Sequence, residues 1–403
     1  MNTGRGPIGI TFLIACLSLS LFVQDVRAAQ DLREPVFMEK ADEGFTQIFN
    51  LDYDQAIETF VRLRGEYPDH PAPPFYIASA VWLRELFRRQ DLDLNKFLSP
   101  GYFDEPTDYR MSAEARQRFF DMIEESQRKA TRILDETPGH KDARYFLGSC
   151  YGVLAAFAIT IDHSKREAFK QGKRAYTYHH EIMQEDPTYY DSYMSVGLYE
   201  YVVGSLPWYI KWLAVIAGYR GTKEQGYEYL QQAAQKGQYV ADEARVLQMV
   251  LFVREKEYDR ALQQAEYLHR KFPKNFLLHL NRAQILERKV ERNKALQVYK
   301  EVLAWTEEKV PNYSKIDPFV FRYTLGQKFK DLNDPEAAIA QFQWLVENPR
   351  TPERERALSH LQLGKLLKDL KRIDEARHHC EQVLALRDFE DSHDEAEDLL
   401  DEL

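Results

Sequence analysis

The sequence predicts an all-α fold, a superhelical solenoid of about eight helical hairpins with insertions in the middle hairpins. The main observation is a 34-residue period in which a small residue is followed by an apolar residue four and seven positions later. No hairpin of that length buries its apolar face alone, so neighbouring hairpins must share a core. Copies of the pattern begin at Ala56, Ala261, Ala295, Ala338 and Ala376.

Residues 37–70 show how each hairpin is expected to form. Ala56 is followed by Phe60 four residues later and by Pro68 twelve residues later. Pro68 ends the second helix, because Pro cannot continue the hydrogen-bond ladder. Gly44 lies twelve positions before Ala56, and we expect it to receive the bulky side chain of the partner helix. The same position is taken by Met249, an exception, and by Ala283, Gly326 and Gly364.

Together these residues resemble the tetratricopeptide repeat family from about Phe37 to Glu390. The resemblance implies a binding scaffold. It divides the chain into residues 29–240 with repeats and insertions, 241–390 with regular repeats, and 391–403 as a C-terminal capping helix or tail.

The period stretches between Pro68 and Gly237. Pro68, Pro138 and Pro187 are each expected to end a hairpin, but they are separated by more than 34 residues. Insertions in repeat proteins usually lie on one face, which is often the binding face. They are expected as a loop at about residues 91–111, as longer helices around residues 151–173, and as an apolar segment at residues 204–221.

The third insertion places Trp208, Trp212 and Ile216 on one helical stripe. The segment is too short for a membrane span and contains Pro207 and Lys211. Two interpretations remain open: a helix packed over the groove, and a helix that lies on a membrane surface.

Part of this insertion, from Leu206 through Gly218-Tyr219-Arg220-Gly221 to Leu230, is similar to the tetratricopeptide-repeat 39 family and its yeast relative involved in inclusion-body clearance. Those proteins are non-enzymatic and associated with membranes or lipid-linked processes. The likeness covers about 30 residues, and the present chain differs from that family by its export signal.

The N-terminus predicts export. The apolar run from Ile8 to Val23 follows Arg5 and is followed by Val26-Arg27-Ala28, which fits signal cleavage after Ala28. Residues 1–28 are therefore expected to be a signal peptide of a periplasmic or envelope protein. Two alternatives are a lipoprotein through Cys16, which ends the lipobox-like Leu13-Ile14-Ala15-Cys16, and an uncleaved membrane anchor.

Charge and cysteine content limit the possible partners. The formal net charge is −10, which argues against a nucleic-acid partner, because phosphates require a basic face. Cys150 and Cys380 remain after cleavage at Ala28 and fall in the third and eighth hairpins. We expect both to be packing thiols that are too far apart to form a disulfide.

No motif predicts catalysis, a metal or a cofactor. His180-Glu181 begins like a zinc-protease helix, but Gln184 stands where a second His is required. The adjacent pairs His179-His180 and His378-His379 point about 100° apart and suit no shared ion. Residues 221–226 have the spacing of a phosphate loop, but Tyr227 replaces its Lys. An enzyme on a helical scaffold is therefore disfavoured.

The functional prediction is an aromatic, weakly charged concave groove that binds a protein or peptide. In the resembled family, the first helix of each hairpin lines this groove at fixed offsets from the small residue. Carried onto this chain, these positions are Phe75, Trp82, Tyr145, Ser149, Met194, Leu198 and Tyr201. The structural alternative is that the inserted segments fill this groove. The second functional hypothesis is a membrane- or lipid-associated envelope module that contacts lipid through residues 206–219.

Overall fold

The structure is a computed structural model and describes residues 31–98, 110–205 and 221–403. Within these ranges the secondary structure consists of α-helices and two short 3₁₀ helices. The predicted all-α class and the solenoid of about eight hairpins are confirmed.

The helices pair in chain order. Hairpins 1 to 4 are α1 (Pro35–Phe49) with α2 (Tyr53–Glu66), α3 (Ala72–Arg88) with α5 (Ala113–Glu136), α6 (Lys141–Thr160) with α7 (Lys165–Glu185), and α8 (Tyr193–Gly204) with α9 (Lys223–Lys236); α4 (Leu94–Leu98) lies within the first insertion. Hairpins 5 to 8 are α10 (Ala241–Arg254) with α11 (Tyr258–Lys271), α12 (Phe276–Arg288) with α13 (Arg292–Glu307), α14 (Pro318–Asp331) with α15 (Pro335–Glu347), and α16 (Glu353–Asp369) with α17 (Ile373–Leu384); α18 (Ser392–Asp401) follows. The 3₁₀ helices are Tyr190–Ser192 and Tyr313–Lys315.

The small positions of the repeat lie where the two helices of a hairpin meet. A methyl group at Gly44 would overlap the ring of Phe60. A methyl group at Gly326 would lie 2.7 Å from Cε1 of Phe342. Both rings have no exposed surface. The close approach of the helices therefore depends on the missing side chain, as the sequence pattern predicts.

The prolines end the second helices as expected. Helices α2, α5 and α7 end two residues before Pro68, Pro138 and Pro187. The inserted residues in the middle of the chain partly lengthen helices: α5, α6 and α7 have 24, 20 and 21 residues, whereas α11 has 14.

One large core runs through the first six hairpins, and a second core joins hairpins 6 to 8. Helix α18 covers the end of the array through Ala396 and Leu399, which pack against Leu361 and Cys380. Among the described helices, α6 is long and apolar enough to cross a membrane, but half of its most apolar window is buried inside the protein. It is the first helix of hairpin 3 and packs on α7.

Both described cysteines are buried and free, as the sequence analysis predicts. Cys150 lies on α6, and burial raises the pKa of its thiol to about 12. Cys380 lies on α17 beside Gly364. Both thiols serve packing.

Candidate interaction surface

Residues just before α1 join the starts of several hairpins in a buried group that we call the axial cluster: Arg33, His70, Asp142, Asp191 and Tyr239. Arg33 Nε donates to Asp142 Oδ1 at 2.6 Å, and Arg33 Nη2 lies 3.3 Å from Asp191 Oδ2. His70 Nε2 and the Tyr239 hydroxyl both contact the carbonyl oxygen of Leu32, at 3.0 and 3.1 Å. These residues belong to five consecutive hairpins.

The electrostatics of the axial cluster are set by burial and close pairing. Asp191 is almost fully buried, and burial raises the pKa of its carboxyl group even though Arg33 opposes the shift. Its Oδ1 accepts hydrogen bonds from the backbone amides of Tyr239 at 2.7 Å and Val240 at 3.3 Å. Although burial disfavours the charge of Arg33, nearby Tyr189, Asp142 and Asp191 raise the pKa of its guanidinium group above the ordinary value.

A second set of contacts, the clasp, joins the turn of hairpin 1 (residues 49–52) to the turns on either side of hairpin 6. The rings of Phe49 and Phe272 stack with centroids 4.5 Å apart. Asn275 Nδ2 donates to the Phe49 carbonyl at 2.6 Å, and Lys315 Nζ donates to the Leu51 carbonyl at 2.7 Å. The first six hairpins thus form a closed turn of the superhelix.

Three of the predicted groove residues are buried within this turn. The Tyr145 ring stacks on His179 and on Tyr239, with centroids 4.9 and 5.7 Å apart. Ser149 lies beside the same imidazole, with Oγ 3.5 Å from Nε2. The Tyr201 hydroxyl donates to Glu255 Oε1 at 2.7 Å. In this conformation these side chains offer almost no surface to a partner.

The other four predicted groove residues, Phe75, Trp82, Met194 and Leu198, are half-buried. Trp82 Nε1 donates to Thr160 Oγ1 at 2.9 Å, so its polar edge is satisfied within the chain. Leu198 on α8 precedes Val202 by one turn, and Val202 is 47% exposed. The structure therefore places the seven residues on α3, α6 and α8 but leaves apolar surface at only some of them.

Trp208, Trp212 and Ile216, the residues predicted to contact lipid, lie outside the described residues. The same holds for Cys16 and the predicted signal peptide at residues 1–28.

The histidines singled out in the sequence have ordinary structural partners. His180 Nε2 lies 3.4 Å from Gln184 Nε2. His379 is buried, and its Nδ1 lies 2.9 Å from that of His360. Within residues 31–98, 110–205 and 221–403, no group of three or more His, Cys, Asp or Glu side chains is arranged to hold a metal ion.

The sequence analysis missed the axial cluster, since its residues share no repeat position: Arg33 lies before α1, His70 and Tyr239 lie in connections between helices, Asp142 in the first turn of α6 and Asp191 in a 3₁₀ helix. It also missed the basic run from Lys165 to Arg174, although a charge count along this acidic chain reveals it.

One family model and several solved structures are similar to this chain. A family model described as Tetratricopeptide repeat matches residues 323–391. No curated protein matches the chain. Similar solved structures include yeast Tom70, with 14% identity, coverage of 92% of this chain and 88% of Tom70, and a TM-score of 0.31. The apo form of RapI has 13% identity, coverage of 87% of each chain and a TM-score of 0.40.

A tetratricopeptide repeat protein from Parabacteroides merdae is 12% identical, with 80% of this chain and 97% of that chain covered and a TM-score of 0.30. Similarity at this level carries no information about what the chain binds. The likeness of the middle segment to the tetratricopeptide-repeat 39 family stays a prediction. The repeat match falls on hairpins 7 and 8, so this part of the array is a pair of tetratricopeptide repeats, and the hairpins before it continue the same packing of consecutive helices.

Proposed function

We propose that this protein is an exported, non-enzymatic scaffold that binds a protein or peptide partner on the concave face of its repeats. The observation that carries the proposal is the apolar strip on the first helix of hairpin 4 formed by Leu198, which is half-buried, and Val202, which is 47% exposed. Exposed apolar surface of this kind marks interaction sites, and a helix or extended peptide anchors apolar side chains in such a strip. Met194, one turn before Leu198, extends it.

A photo-crosslinking side chain at position 202 tests the site in intact cells. We expect a discrete adduct from position 202 and none from position 61, a residue that is 42% exposed on the second helix of hairpin 1. Met194→Glu and Leu198→Glu should reduce the yield of the adduct, because a carboxylate in an apolar contact is costly to bury. Equal adducts from positions 61 and 202, or none from either, would contradict binding at this strip.

Export is tested on the N-terminus of the purified protein. Mass spectrometry should show a chain that begins at Ala29, as the run Val26-Arg27-Ala28 predicts. A lipidated Cys16 at the N-terminus would replace this proposal by the lipoprotein alternative, and an intact Met1 with membrane localisation would replace it by an uncleaved anchor.

A further inference from the structure

The outer face of α7 carries a concentration of positive charge that we call the basic stripe: Lys165, Arg166, Lys170, Lys173 and Arg174. All five side chains are exposed. With Glu167 as the acidic residue between them, residues 165–174 have a net charge of +4, whereas the whole chain has −10. A solvated helix face of an acidic protein is expected to mix both signs, so this separation is unusual.

Helix geometry places the centre of the basic stripe on the solvent side of α7, with Lys165 and Arg174 toward its two edges. At about 100° per residue, Arg166, Lys170 and Lys173 lie opposite Ala175 and His179, which are buried against neighbouring helices. These three side chains therefore face away from the core.

An exposed aromatic side chain lies at the border of the basic stripe. Phe169 is 38% exposed, and its ring lies 6.4 Å from that of Tyr199 on α8. Basic residues with a neighbouring exposed aromatic ring are typical of helices that lie on membranes, where cations meet phosphates and the ring enters the headgroup region.

A shallow cleft lies at the C-terminal end of the stripe. Its volume is about 450 Å³, and it is lined by Lys173, Arg174, Thr177, Tyr178 and Glu181. The guanidinium carbon of Arg174 lies 4.0 Å from the centroid of the Tyr151 ring, a cation–π contact that restrains the side chain. A restrained guanidinium group suits bidentate binding of a lipid phosphate.

We propose that the basic stripe of α7 docks on the surface of a bilayer that contains anionic phospholipids. Charge complementarity selects this partner, because the exposed cations and the exposed ring of Phe169 lie on the same helix. The inference is independent of partner binding at Leu198 and Val202, which lie on the first helix of the next hairpin. It would place a protein-binding scaffold at a membrane without the use of its concave face.

Vesicle flotation of the full chain tests the proposal. We expect binding to vesicles of about 30% phosphatidylglycerol in phosphatidylcholine, weak binding to pure phosphatidylcholine, and loss of binding at high salt. The triple variant Arg166→Glu, Lys170→Glu, Arg174→Glu should lose affinity by about 100-fold or more, and the corresponding Gln variant should lose less. Circular dichroism checks that both variants fold.

A matched control reverses three exposed basic residues elsewhere, as Arg292→Glu, Lys294→Glu and Lys300→Glu on α13. This control has the same net charge as the first triple variant and should bind nearly as wild type. Residues 1–30 and 206–220 are unchanged in all these proteins, so binding through them is common to the set.

Three results would overturn the proposal. They are no binding of the wild type to anionic vesicles, an equal loss of affinity in the α7 and α13 Glu variants, and unchanged binding in the α7 Glu variant. Competition then identifies the chemistry. Millimolar inorganic phosphate should not release the wild-type protein, because a bilayer engages several cations at once. A polyglutamate peptide that binds the stripe while vesicles do not would assign it to an acidic protein instead.

Discussion

Hairpins 7 and 8 are held by contacts between neighbours along the chain, such as Lys330 Nζ with Gln362 Oε1 at 2.8 Å across 32 residues. Hairpin 1 differs, because its turn meets hairpin 6 through Asn275 and Phe49, which are 226 residues apart. The C-terminal hairpins are a solenoid in which stability adds up by nearest neighbours, whereas the first six hairpins are closed by their own N-terminus. Closure converts an extendable array into a unit that must form and open as a whole.

The largest expected effect comes from breaking the axial cluster. Asp191→Ala removes the ion pair to Arg33 and the acceptor of two backbone amides. We expect a loss of about 2–4 kcal/mol in the free energy of unfolding, because two buried amide donors lose their acceptor and Arg33, which is 23% exposed and keeps Asp142, loses its second carboxylate. Urea titration followed by circular dichroism measures it.

The control for Asp191→Ala is Glu395→Ala in the C-terminal region. Glu395 pairs with Lys365, and both side chains are more than one-third exposed. This pair should contribute less than about 1 kcal/mol. Equal losses in the two variants would show that closure contributes nothing beyond ordinary surface pairing.

The next effect compares the same repeat position in the two regions. Gly44→Ala and Gly326→Ala each force a methyl group against the ring of Phe60 or Phe342. Each should cost about 1–3 kcal/mol through overpacking. Hydrogen exchange should show the loss of protection spread over the first six hairpins for Gly44→Ala and restricted to α14–α17 for Gly326→Ala.

Gly65→Ala is the matched control, because no atom lies within 4 Å of the added methyl group. It lies within α2 and should stabilise the protein by about 0.4–1 kcal/mol. If Gly44→Ala loosened only hairpins 1 and 2, the closed turn would not be one cooperative unit.

The contrast between the regions also explains how much could be predicted from sequence. The spacing of Gly326 and Phe342 is local and recurs with the period, so the hairpins and their crossings follow from the repeat. The meeting of Arg33 with Asp142 and Asp191 depends on the path of the superhelix, which the long α5, α6 and α7 alter. No repeat offset encodes that path.

The same reason limits the prediction of the groove. Tyr145 lies three positions before Gly148 and Leu198 lies one position after Gly197, and both offsets are groove positions in the resembled family. In the structure Tyr239 covers the former, and no described residue fully covers the latter. Position in the repeat predicts the side of the helix, and superhelical closure decides whether that side is open.

A smaller effect is expected from cutting the clasp alone. Asn275 both caps α12, by accepting from the amides of Leu277 and Leu278, and donates to the Phe49 carbonyl. Asn275→Asp keeps the cap but removes the donor, so we expect a loss of about 1–2 kcal/mol and faster hydrogen exchange in residues 35–66. The matched change in the C-terminal hairpins is Asp317→Asn, because Asp317 caps α14. Asn is also a good cap, so this variant should lose less than about 0.5 kcal/mol in the free energy of unfolding. Unchanged exchange in residues 35–66 would mean that the clasp does not hold hairpin 1.

The smallest effect is a pH dependence that arises from one buried histidine in each region. Burial lowers the pKa of His179 to about 4, and its Nε2 lies 2.9 Å from the Tyr145 carbonyl. The unfolded chain protonates this ring at about pH 6.5, so the stabilisation is fully present above that pH and is lost as the pH falls toward 4. Between pH 7.5 and 5.5 the His179 contribution should fall by about 1 kcal/mol, so His179→Leu should show a shallower decline in urea titrations than wild type. His360→Leu should in the same way make the fall in unfolding free energy of the C-terminal hairpins shallower, since burial lowers the pKa of His360 to about 4 as well.

If the unfolding free energy of His179→Leu fell with pH as steeply as that of the wild type, the His179 ring would already be hydrated in the folded protein. The closed turn would then have to be open to water at this ring.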